Sequence, residues 1–358
     1  MTTTKKIQIA GSGPAGLTAA ITLAKAGFEV HVFERNADVG MRFDGDLQGL
    51  ENWSEKIDVL DDLARMNIVP TFDYTPVRQI LVSNTRQSTI VKSRQPLFYL
   101  VKRGMMPGSL DQGLKEQAIT AGVQFHFRTD CPIERADIIA TGPRLDQVVG
   151  IVKGIVFQTG LPDTAMVVAN DQTGRLGYAY LLVTKGYGCL CAVQMERGGE
   201  VSACYAAAEA YFRQTVALDI HQPRGVGGVG SFSLHPRWQV GHQCFVGEAA
   251  GIQDLLGGFN IRNAITSGWL AATSLIENTS YAKLAQTKFF SRMKASTVNR
   301  YWWELASRHQ YRSVISLLRI FRHPRRLLGL MYRGTLLHNL ANARACQHLR
   351  RRYPKLSW

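Results

Sequence analysis

The sequence lacks both a membrane-spanning segment and a cysteine framework. No run of about 18 uninterrupted apolar residues occurs in the 358 residues, so no membrane-spanning helix is expected. A strand-like segment begins at Ile7 and leaves no room for a signal peptide. The cysteines show neither disulfide-framework nor metal-ligand spacing; they are Cys131, Cys189, Cys191, Cys204, Cys244 and Cys346. We therefore expect no metal site, a packed apolar pair at 189 and 191, and a reducing, cytoplasmic compartment.

Acidic residues are scarce in one part of the chain. From Lys283 to the end there are 17 lysines and arginines and a single acid, Glu304. Residues 1–282 are close to neutral, with 25 basic and 26 acidic residues. The formal net charge of +15 is therefore a property of the last 76 residues rather than of the whole protein. This distribution argues against a protein that coats nucleic acid, and no nucleic-acid partner is expected.

The basic segment, residues 283–358, has the periodicity of amphipathic helices interrupted at Pro324. Its apolar stripe residues are Val314, Leu317, Leu318, Phe321, Leu327, Leu330 and Met331. Trp302, Trp303 and Trp358 add amphipathic aromatic rings. Two interpretations remain open. The segment is either a helical cap that packs on the body, or a peripheral attachment to an anionic membrane surface.

The strongest motif lies near the N-terminus. A short apolar strand ends in the segment Gly11–Gly16, a helical run follows, and a second strand ends at Glu34. This order is typical of a dinucleotide-binding βαβ unit, in which the glycines allow a tight turn and close approach of a pyrophosphate. The predicted phosphate-binding residues are Gly11, Gly13, Pro14, Ala15 and Gly16. Glu34 is placed to accept hydrogen bonds from an adenosine ribose.

Three further segments resemble flavoproteins of the glutathione-reductase/aromatic-hydroxylase superfamily. Glu34-Arg35 followed by Gly40 is similar to the family's ending of the second strand. Arg103, followed by the helical segment 109–123, is similar to an element whose arginine lies near the flavin. Ala140-Thr141-Gly142 is similar to the element that returns the chain to the nucleotide domain. The resemblance implies FAD as the cofactor.

Residues 244–268, which we call the third FAD motif, are similar to a block of the same family that contacts the ribityl chain and the flavin ring. Its predicted cofactor-binding residues are Gly247, Glu248, Gly257, Gly258, Phe259 and Asn260. Two departures stand out: Glu248 replaces the family's aspartate, and Phe259-Asn260 replaces Glu-Gly.

These patterns predict an α/β protein with three regions. A Rossmann-type FAD-binding domain comprises residues 1–60, 95–150 and 235–280. A β-rich substrate-binding domain, residues 61–94 and 151–234, is inserted into it. A basic helical C-terminal region covers residues 281–358.

The substrate half indicates a branch of the family and weak catalytic candidates. Residues 178–193 are similar to a hairpin of the geranylgeranyl reductase branch, without its tryptophan and Phe-Pro. The tryptophan signature of flavin-dependent halogenases is also absent. Asp44, Asp46 and Tyr187 are weak candidates for a proton donor. A solvated Asp-Gly-Asp turn and a turn tyrosine are the simpler interpretations.

Three functions are compatible with these features. The resemblance favours an FAD-dependent reductase of carbon–carbon double bonds in a lipophilic, isoprenoid-like substrate, by hydride transfer from flavin N5. The alternatives are an FAD monooxygenase that hydroxylates or epoxidises a lipophilic or aromatic natural product, and a non-catalytic binding subunit with a flavoprotein fold. No second glycine-rich dinucleotide motif occurs, so we expect an external electron donor such as NADPH or ferredoxin.

Overall fold

The computed structural model describes residues 5–195, 200–321 and 323–354. The terminal Trp358 lies outside these ranges. The strands are β1 (Lys6–Ala10), β2 (Glu29–Glu34), β3 (Asp44–Glu51), β4 (Tyr74–Val77), β5 (Gln79–Ser83), β6 (Ser88–Lys92), β7 (Phe98–Gly104), β8 (Gln124–Phe127), β9 (Ile138–Ile139), β10 (Val148–Gln158), β11 (Thr164–Val168), β12 (Tyr178–Thr184), β13 (Tyr187–Gln194), β14 (His221–Ser231), β15 (Gln239–Val240) and β16 (Gln243–Phe245).

The helices are α1 (Pro14–Lys25), α2 (Val59–Arg65), α3 (Leu110–Thr120), α4 (Val201–Thr215), α5 (Ile261–Ile276), α6 (Tyr281–Ser307), α7 (Arg312–Ile320), α8 (Pro324–Tyr332) and α9 (Leu336–Arg352). Short 3-10 turns occur at Ile133–Arg135, Leu145–Gln147 and Gly247–Ala250. The mixed α/β architecture and the helical C-terminal region confirm the predicted fold class.

A six-stranded sheet forms the Rossmann-like part, in the order β15-β16-β9-β1-β2-β8. Its pairings are parallel except between β15 and β16. The consecutive residues Val30, His31 and Val32 of β2 are all buried, so both faces of this strand are covered. Two-sided burial of this kind is typical of parallel sheets, whose crossover helices cover the faces.

A seven-stranded, largely antiparallel sheet forms the second part, in the order β14-β10-β13-β12-β11-β5-β6. One face packs on α4 through side chains such as Leu190 and Phe212. The other face, which we call the inner apolar face, carries Val156, Leu182, Cys189 and Cys191. It packs towards the three-stranded sheet β3-β7-β4 and towards α7 and α8.

The hairpin β12–β13 occurs where the sequence predicts two strands around a glycine turn. Lys185 and Gly186 make the turn, with φ angles of 50° and 74°. Tyr187 opposes Thr184 in the ladder, so it is the first residue of a strand and not a turn residue. The paired thiols of Cys189 and Cys191 are buried, with 3.7 Å between their sulfur atoms, and neither forms a disulfide.

The C-terminal helices are integrated into the body by buried side chains. In α6, Tyr281 and Phe289 belong to the core of the Rossmann-like part. The Tyr281 hydroxyl donates to the carbonyl of Phe245 at 2.8 Å. Pro324 separates α7 from α8, as the sequence predicts, because proline suits the first turn of a helix and not its interior.

Glu304 of α6 joins the helices to one another. Its carboxylate accepts from Arg300 at 2.8 Å, from His348 at 2.7 Å and from the Tyr353 hydroxyl at 2.6 Å. Burial opposes ionisation of this carboxyl, but the charge of Arg300 and the surrounding hydrogen bonds outweigh it and lower its pKa. The single acid of the basic segment therefore holds α9 against α6. Within the described residues, no helix is both long and apolar enough to cross a membrane.

Candidate dinucleotide site and inner apolar face

The glycine-rich loop packs so closely on its neighbours that a side chain at Gly11 or Gly16 would clash with backbone atoms. Gly11 has φ +100°, and a Cβ there would lie 2.4 Å from the carbonyl oxygen of Ala140. A Cβ on Gly16 would lie 2.1 Å from the carbonyl oxygen of Gly11. A Cβ on Gly268 of α5 would lie 2.0 Å from the carbonyl oxygen of Ala15. The loop, β9 and α5 therefore pack backbone to backbone, which only glycine permits.

The N-terminus of α1 is open to an anion. Gly13 is the N-cap and forms no side-chain capping bond, Pro14 occupies the first turn, and no acid follows in that turn. A Cβ on Gly13 would meet nothing within 4 Å. The helix end thus has uncapped N–H groups, a positive dipole end and free space in front of it. These are the properties of a phosphate site.

Glu34 lies beside the loop, as predicted. Its carboxylate accepts from the hydroxyl of Ser12 at 2.7 Å and from the backbone N–H of Asn36 at 2.9 Å. The N–H of Ser12 and the side-chain amide of Asn36 also donate to it, at 3.2 and 2.7 Å, so its roughly four acceptor positions are occupied and a ribose hydroxyl would have to replace one of these bonds. Arg35 is exposed.

The segment Ala140–Gly142 adjoins the loop from the other side. The N–H of Ala140 donates to the carbonyl of Ala10 at 2.7 Å. Thr141 is exposed and Gly142 has φ +80°. The first and last FAD-motif strands, β1 and β16, flank β9. The sheet therefore brings together motifs that are about a hundred residues apart in sequence.

Glu248 forms an ion pair with Arg42, and both side chains bond to the backbone of β14 in the large sheet. Gly247, with φ +59°, begins the turn that carries it. The Glu248 carboxylate lies 2.7 Å from the guanidinium of Arg42 and accepts from the N–H of Ser231 at 3.2 Å. Arg42 also donates to the carbonyl of Val229 at 2.5 Å. The predicted cofactor acid is thus connected to β14 of the large sheet, a link that the sequence does not reveal.

The Arg103 side chain is hydrogen-bonded to the buried carboxylate of Asp111. Its guanidinium makes two bonds to the carboxylate of Asp111, at 2.8 and 2.9 Å. A third bond reaches the side-chain oxygen of Gln48 at 2.9 Å. The guanidinium also lies 4.3 Å from the ring centre of Phe43. Arg103 therefore fixes β7 against α3, and the Phe43 ring lies between Arg103 and Arg42.

The loop Gly257–Asn260 is organised by Asp254, which sequence reasoning missed. The Asp254 carboxylate accepts from the N–H groups of Leu256 and Gly257 and from the hydroxyl of Tyr332, at 3.0, 2.9 and 2.8 Å. Burial raises the pKa of Asp254. Gly258 has φ +71°. The amide oxygen of Asn260 accepts from the N–H of Asp254 at 2.5 Å, which closes the loop.

Phe259 points into the inner apolar face. Its ring centre lies 4.6 Å from that of Trp53 and 5.5 Å from that of Phe98. The ring occupies the space above Gly49, where a Cβ would come within 2.2 Å of it. Trp53 is buried, and its indole N–H has no acceptor among the described residues. A buried donor of this kind can be satisfied only by an acceptor that the described residues do not supply.

The three weak proton-donor candidates lie together at the edge of this face. The Tyr187 hydroxyl donates to the carbonyl of Gly45 at 3.0 Å. Asp44 is exposed and forms an ion pair with Arg224 at 2.9 Å. Asp46 is 7% exposed, so the interpretation of a solvated turn is wrong for it. The segment 44–46 instead begins β3, because Gly45 adopts φ +90° and turns Asp46 inwards.

Burial raises the pKa of Asp46, and burial likewise raises that of Tyr187 to about 12. The pKa of the Cys189 thiol is raised by its contact with Cys191, by burial and by the charge of Asp46. Asp46 therefore lies close to the inner apolar face, where burial opposes its ionisation. No cluster of three or more potential metal ligands occurs in the parts of the chain that the structure describes.

Comparison with known proteins agrees with this architecture. Residues 9–58 match the family described as an NAD(P)-binding Rossmann-like domain. No curated protein matches the chain by sequence. A geranylgeranyl bacteriochlorophyll reductase-like protein from Thermoplasma acidophilum has a similar structure, with a TM-score of 0.72 and 15% identity over 98% of this chain and 97% of that one.

Two other solved structures are similar. A flavin-dependent brominase has a TM-score of 0.66 and 14% identity over 98% of this chain and 99% of that one. The p-nitrophenol 4-monooxygenase of Pseudomonas putida has a TM-score of 0.65 and 14% identity over 92% of this chain and 99% of that one. The chain therefore has the fold of flavin-dependent oxidoreductases, a class that includes reductase-like proteins, halogenases and monooxygenases.

Proposed function

We propose that the chain binds FAD and reduces carbon–carbon double bonds of a lipophilic, isoprenoid-like substrate. The observation that carries the reaction type is the position of Asp46, a buried acid next to an otherwise apolar wall. Addition of hydrogen across a double bond needs a hydride at one carbon and a proton at the other. A buried carboxyl group with a raised pKa is a candidate to supply that proton.

The residues of the nucleotide half suit FAD. The uncapped end of α1 accepts a pyrophosphate, and Gly13 leaves room for it. Glu34 lies where it can accept from an adenosine ribose. Glu248 is the acid available to a ribityl chain, and its bond to Arg42 orients it in a partly buried position. When bound and reduced, FAD supplies the hydride, which the chain's own side chains cannot.

The inner apolar face suits a hydrocarbon chain. This face is packed against the three-stranded sheet and α8, so a substrate would enter by displacing those contacts; Val156, Leu182 and Cys189 would then present no charge to it, and Trp53 and Phe259 would border it with aromatic rings. Burial of such a substrate is driven by the hydrophobic effect and excludes water from the reacting carbons. The unpaired indole N–H of Trp53 is available to a single oxygen of the substrate and would orient it.

Asp46 would donate its proton to the carbon that does not receive the hydride. The carboxylate left behind would regain a proton from solvent through the exposed side of β3, where Asp44 lies. NADPH or ferredoxin would restore the reducing equivalents from outside. Tyr187 holds the backbone of Gly45 and so keeps Asp46 turned inwards.

A monooxygenase that hydroxylates or epoxidises a lipophilic or aromatic compound is the second candidate. The similarity to p-nitrophenol 4-monooxygenase, at a TM-score of 0.65, favours it. The two reactions differ in their need for oxygen. The reductase works anaerobically, whereas the monooxygenase consumes oxygen in each turnover.

An anaerobic reduction experiment distinguishes these functions. The purified protein with FAD is photoreduced, mixed with a panel of polyprenyl compounds, and followed by its flavin absorbance. Reoxidation by substrate without oxygen, with a saturated product, supports the reductase. Turnover only after an oxygen pulse supports the monooxygenase. A protein that does not retain FAD, or that holds FAD which no donor or light reduces, indicates a non-catalytic subunit.

Asp46→Asn tests the proton donor, with Asp44→Asn as the matched control. We expect the first variant to bind FAD normally and to lose double-bond reduction by about a hundredfold or more. The second should retain most of the rate, because Asp44 is exposed and paired with Arg224. Equal rates in both variants would remove Asp46 from the mechanism.

A further inference from the structure

The helices α7, α8 and α9 present large apolar side chains to solvent. Seven of them occur within 24 residues, namely Leu317, Ile320, Phe321, Leu330, Leu336, Leu337 and Leu340. Ile320 is 75% exposed, and Leu336 and Leu340 are each 73% exposed. Single exposed apolar residues are normal on a protein, but a concentration of this kind marks an interaction surface. We call these seven residues the C-terminal apolar surface.

The packing of the helices does not require these side chains. In α7 the buried residue is Ile315, while Leu317, Ile320 and Phe321 share the opposite side at helical spacing. In α9 the buried side includes His338. Leu336 and Leu340, four residues apart, share the outer side. Each helix therefore has one apolar side for the body and a second one that no described residue covers.

The same surface carries only positive charge. Exposed arginines accompany the apolar residues, and they are Arg312, Arg319, Arg326, Arg333 and Arg344. Arg326 and Arg333 lie four and three residues from Leu330, and Arg344 lies four residues from Leu340. The single acid among residues 283–358, Glu304, is 4% exposed and faces inwards. The surface therefore combines exposed leucines with a cationic border.

We propose that helices α7 to α9 attach the protein to an anionic lipid bilayer. The leucines would enter the headgroup region, and the arginines would lie among the phosphates. Each arginine near such a surface is attracted by its negative potential, so five together give a strong and salt-dependent attraction. A nucleic acid would use the arginines but leave the leucines in water. A second copy of the chain would oppose one positive surface with another.

Vesicle co-sedimentation of the full chain tests this attachment. One vesicle is phosphatidylcholine alone, and the other is an equal mixture of phosphatidylcholine and phosphatidylglycerol. We expect binding to the mixed vesicles and little to the neutral ones, with loss of binding in high salt. Equal binding to both vesicles, or none to the anionic ones, would overturn the proposal.

Two variants separate the apolar and ionic contributions. Leu336→Ser with Leu337→Ser and Leu340→Ser should weaken vesicle binding at least about tenfold, because interfacial burial is lost. Arg326→Glu with Arg333→Glu and Arg344→Glu should abolish it. The matched control is Ile119→Ser with Leu145→Ser, since these residues are also exposed but lie on the body. All changed residues are exposed, so melting temperatures should stay close to that of the parent.

A short duplex RNA serves as the competing ligand in the same assay. Displacement of vesicles by RNA, with RNA binding that the leucine variant leaves unchanged, would assign the surface to nucleic acid and refute the proposal. Vesicle binding that falls with the leucine variant but not with the body control supports it. The assay needs no turnover, so its outcome does not depend on the proposed reductase activity.

Discussion

Arg42 and Glu248, 206 residues apart in sequence, form an ion pair of 2.7 Å in the nucleotide half, beside strand β14 of the large sheet. Arg42 is half-exposed and reaches β14 through the carbonyl of Val229. Glu248 is the acid of the third FAD motif. A cofactor bound there would contact a carboxylate that is oriented by Arg42, a residue outside the predicted FAD-binding segments.

Glu248→Gln should weaken FAD binding by roughly tenfold, which corresponds to the loss of one charge-assisted hydrogen bond. The change keeps the shape of the side chain but removes its charge and its pairing with Arg42. Quenching of flavin fluorescence measures the affinity. Glu134→Gln, at an exposed position, is the control. An unchanged affinity in the Glu248 variant would place the ribityl chain elsewhere.

Two glycines of the same loop should respond differently to alanine. Gly13→Ala should leave the melting temperature near that of the parent, because nothing lies within 4 Å of the new Cβ, yet weaken FAD binding. Gly16→Ala should destabilise the fold by about 1–3 kcal/mol, because its Cβ would lie 2.1 Å from a backbone oxygen. Thermal melts with and without FAD separate the two effects.

Gly160→Ala is the reference for these variants, since its new Cβ would make only ordinary contact with Asp219. If Gly13→Ala lowered the melting temperature as much as Gly16→Ala, the open space in front of α1 would have to be filled by protein.

Asp46→Asn should stabilise the protein at neutral pH and not at acid pH. Burial raises the pKa of Asp46 above the ordinary aspartate value of 3.8, so the native state holds this proton more tightly than the unfolded state. The native state therefore loses stability as the pH rises from that value through the raised pKa. Asparagine removes this loss.

The measurement is the difference in melting temperature between the Asp46→Asn variant and the parent from pH 4 to pH 8. The difference should grow with pH. A difference that is constant across this range would mean that Asp46 titrates as it does in the unfolded chain. Asp44→Asn again serves as control, because that carboxyl is exposed.

Glu304→Gln should be strongly destabilising, by about 3–5 kcal/mol, because it leaves the buried Arg300 without its counter-charge. The surface pair Glu209–Arg213 has the same spacing of four residues, and Glu209→Gln should cost less than about 1 kcal/mol. Urea unfolding at pH 7 gives both values. The pKa of Glu304 is lower in the folded state than the ordinary glutamate value of 4.5. The stabilisation by its ionised carboxylate is therefore fully present above pH 4.5 and is lost as the pH falls through the folded pKa.

Truncation after residue 282 tests whether the body needs the packing of α6. The cut removes Phe289 and Met293 from the core of the Rossmann-like part. We expect an insoluble or unfolded product, and not a flavin-binding body that has merely lost its basic segment. A folded, FAD-binding truncation product would show that the core closes without α6.

The nucleotide half could be predicted because its signals are local. A glycine loop, a helix start and a terminal acid fall within 30 residues, and each has its own steric or electrostatic reason. The positions of Arg42, Asp254 and Trp53 could not be predicted, since each depends on contacts between distant elements. Phe259 is a departure from the family pattern in sequence. Only the structure shows that its ring turns over Gly49 into the apolar face.

For the C-terminal region, the sequence predicts the positive charge and the helices but not which side chains are buried. Charge counting finds a basic segment, and periodicity finds its helices. Neither shows that Glu304 is buried among Arg300, His348 and Tyr353, or that the leucines at 336, 337 and 340 remain outside. Packing against distant parts of the chain decides which of two similar apolar sides of a helix faces the body, and local sequence does not show that packing.

Helix α8 places Leu330 on its outer side and Tyr332 on its inner side, against the apolar face. A helix with its side chains is about 10 Å across. If the outer side rests on a bilayer, the lipid and the proposed substrate site at the inner apolar face lie on opposite sides of a single helix. On the proposed function, a lipophilic substrate would then pass from one to the other across the width of α8 and not through the surrounding water.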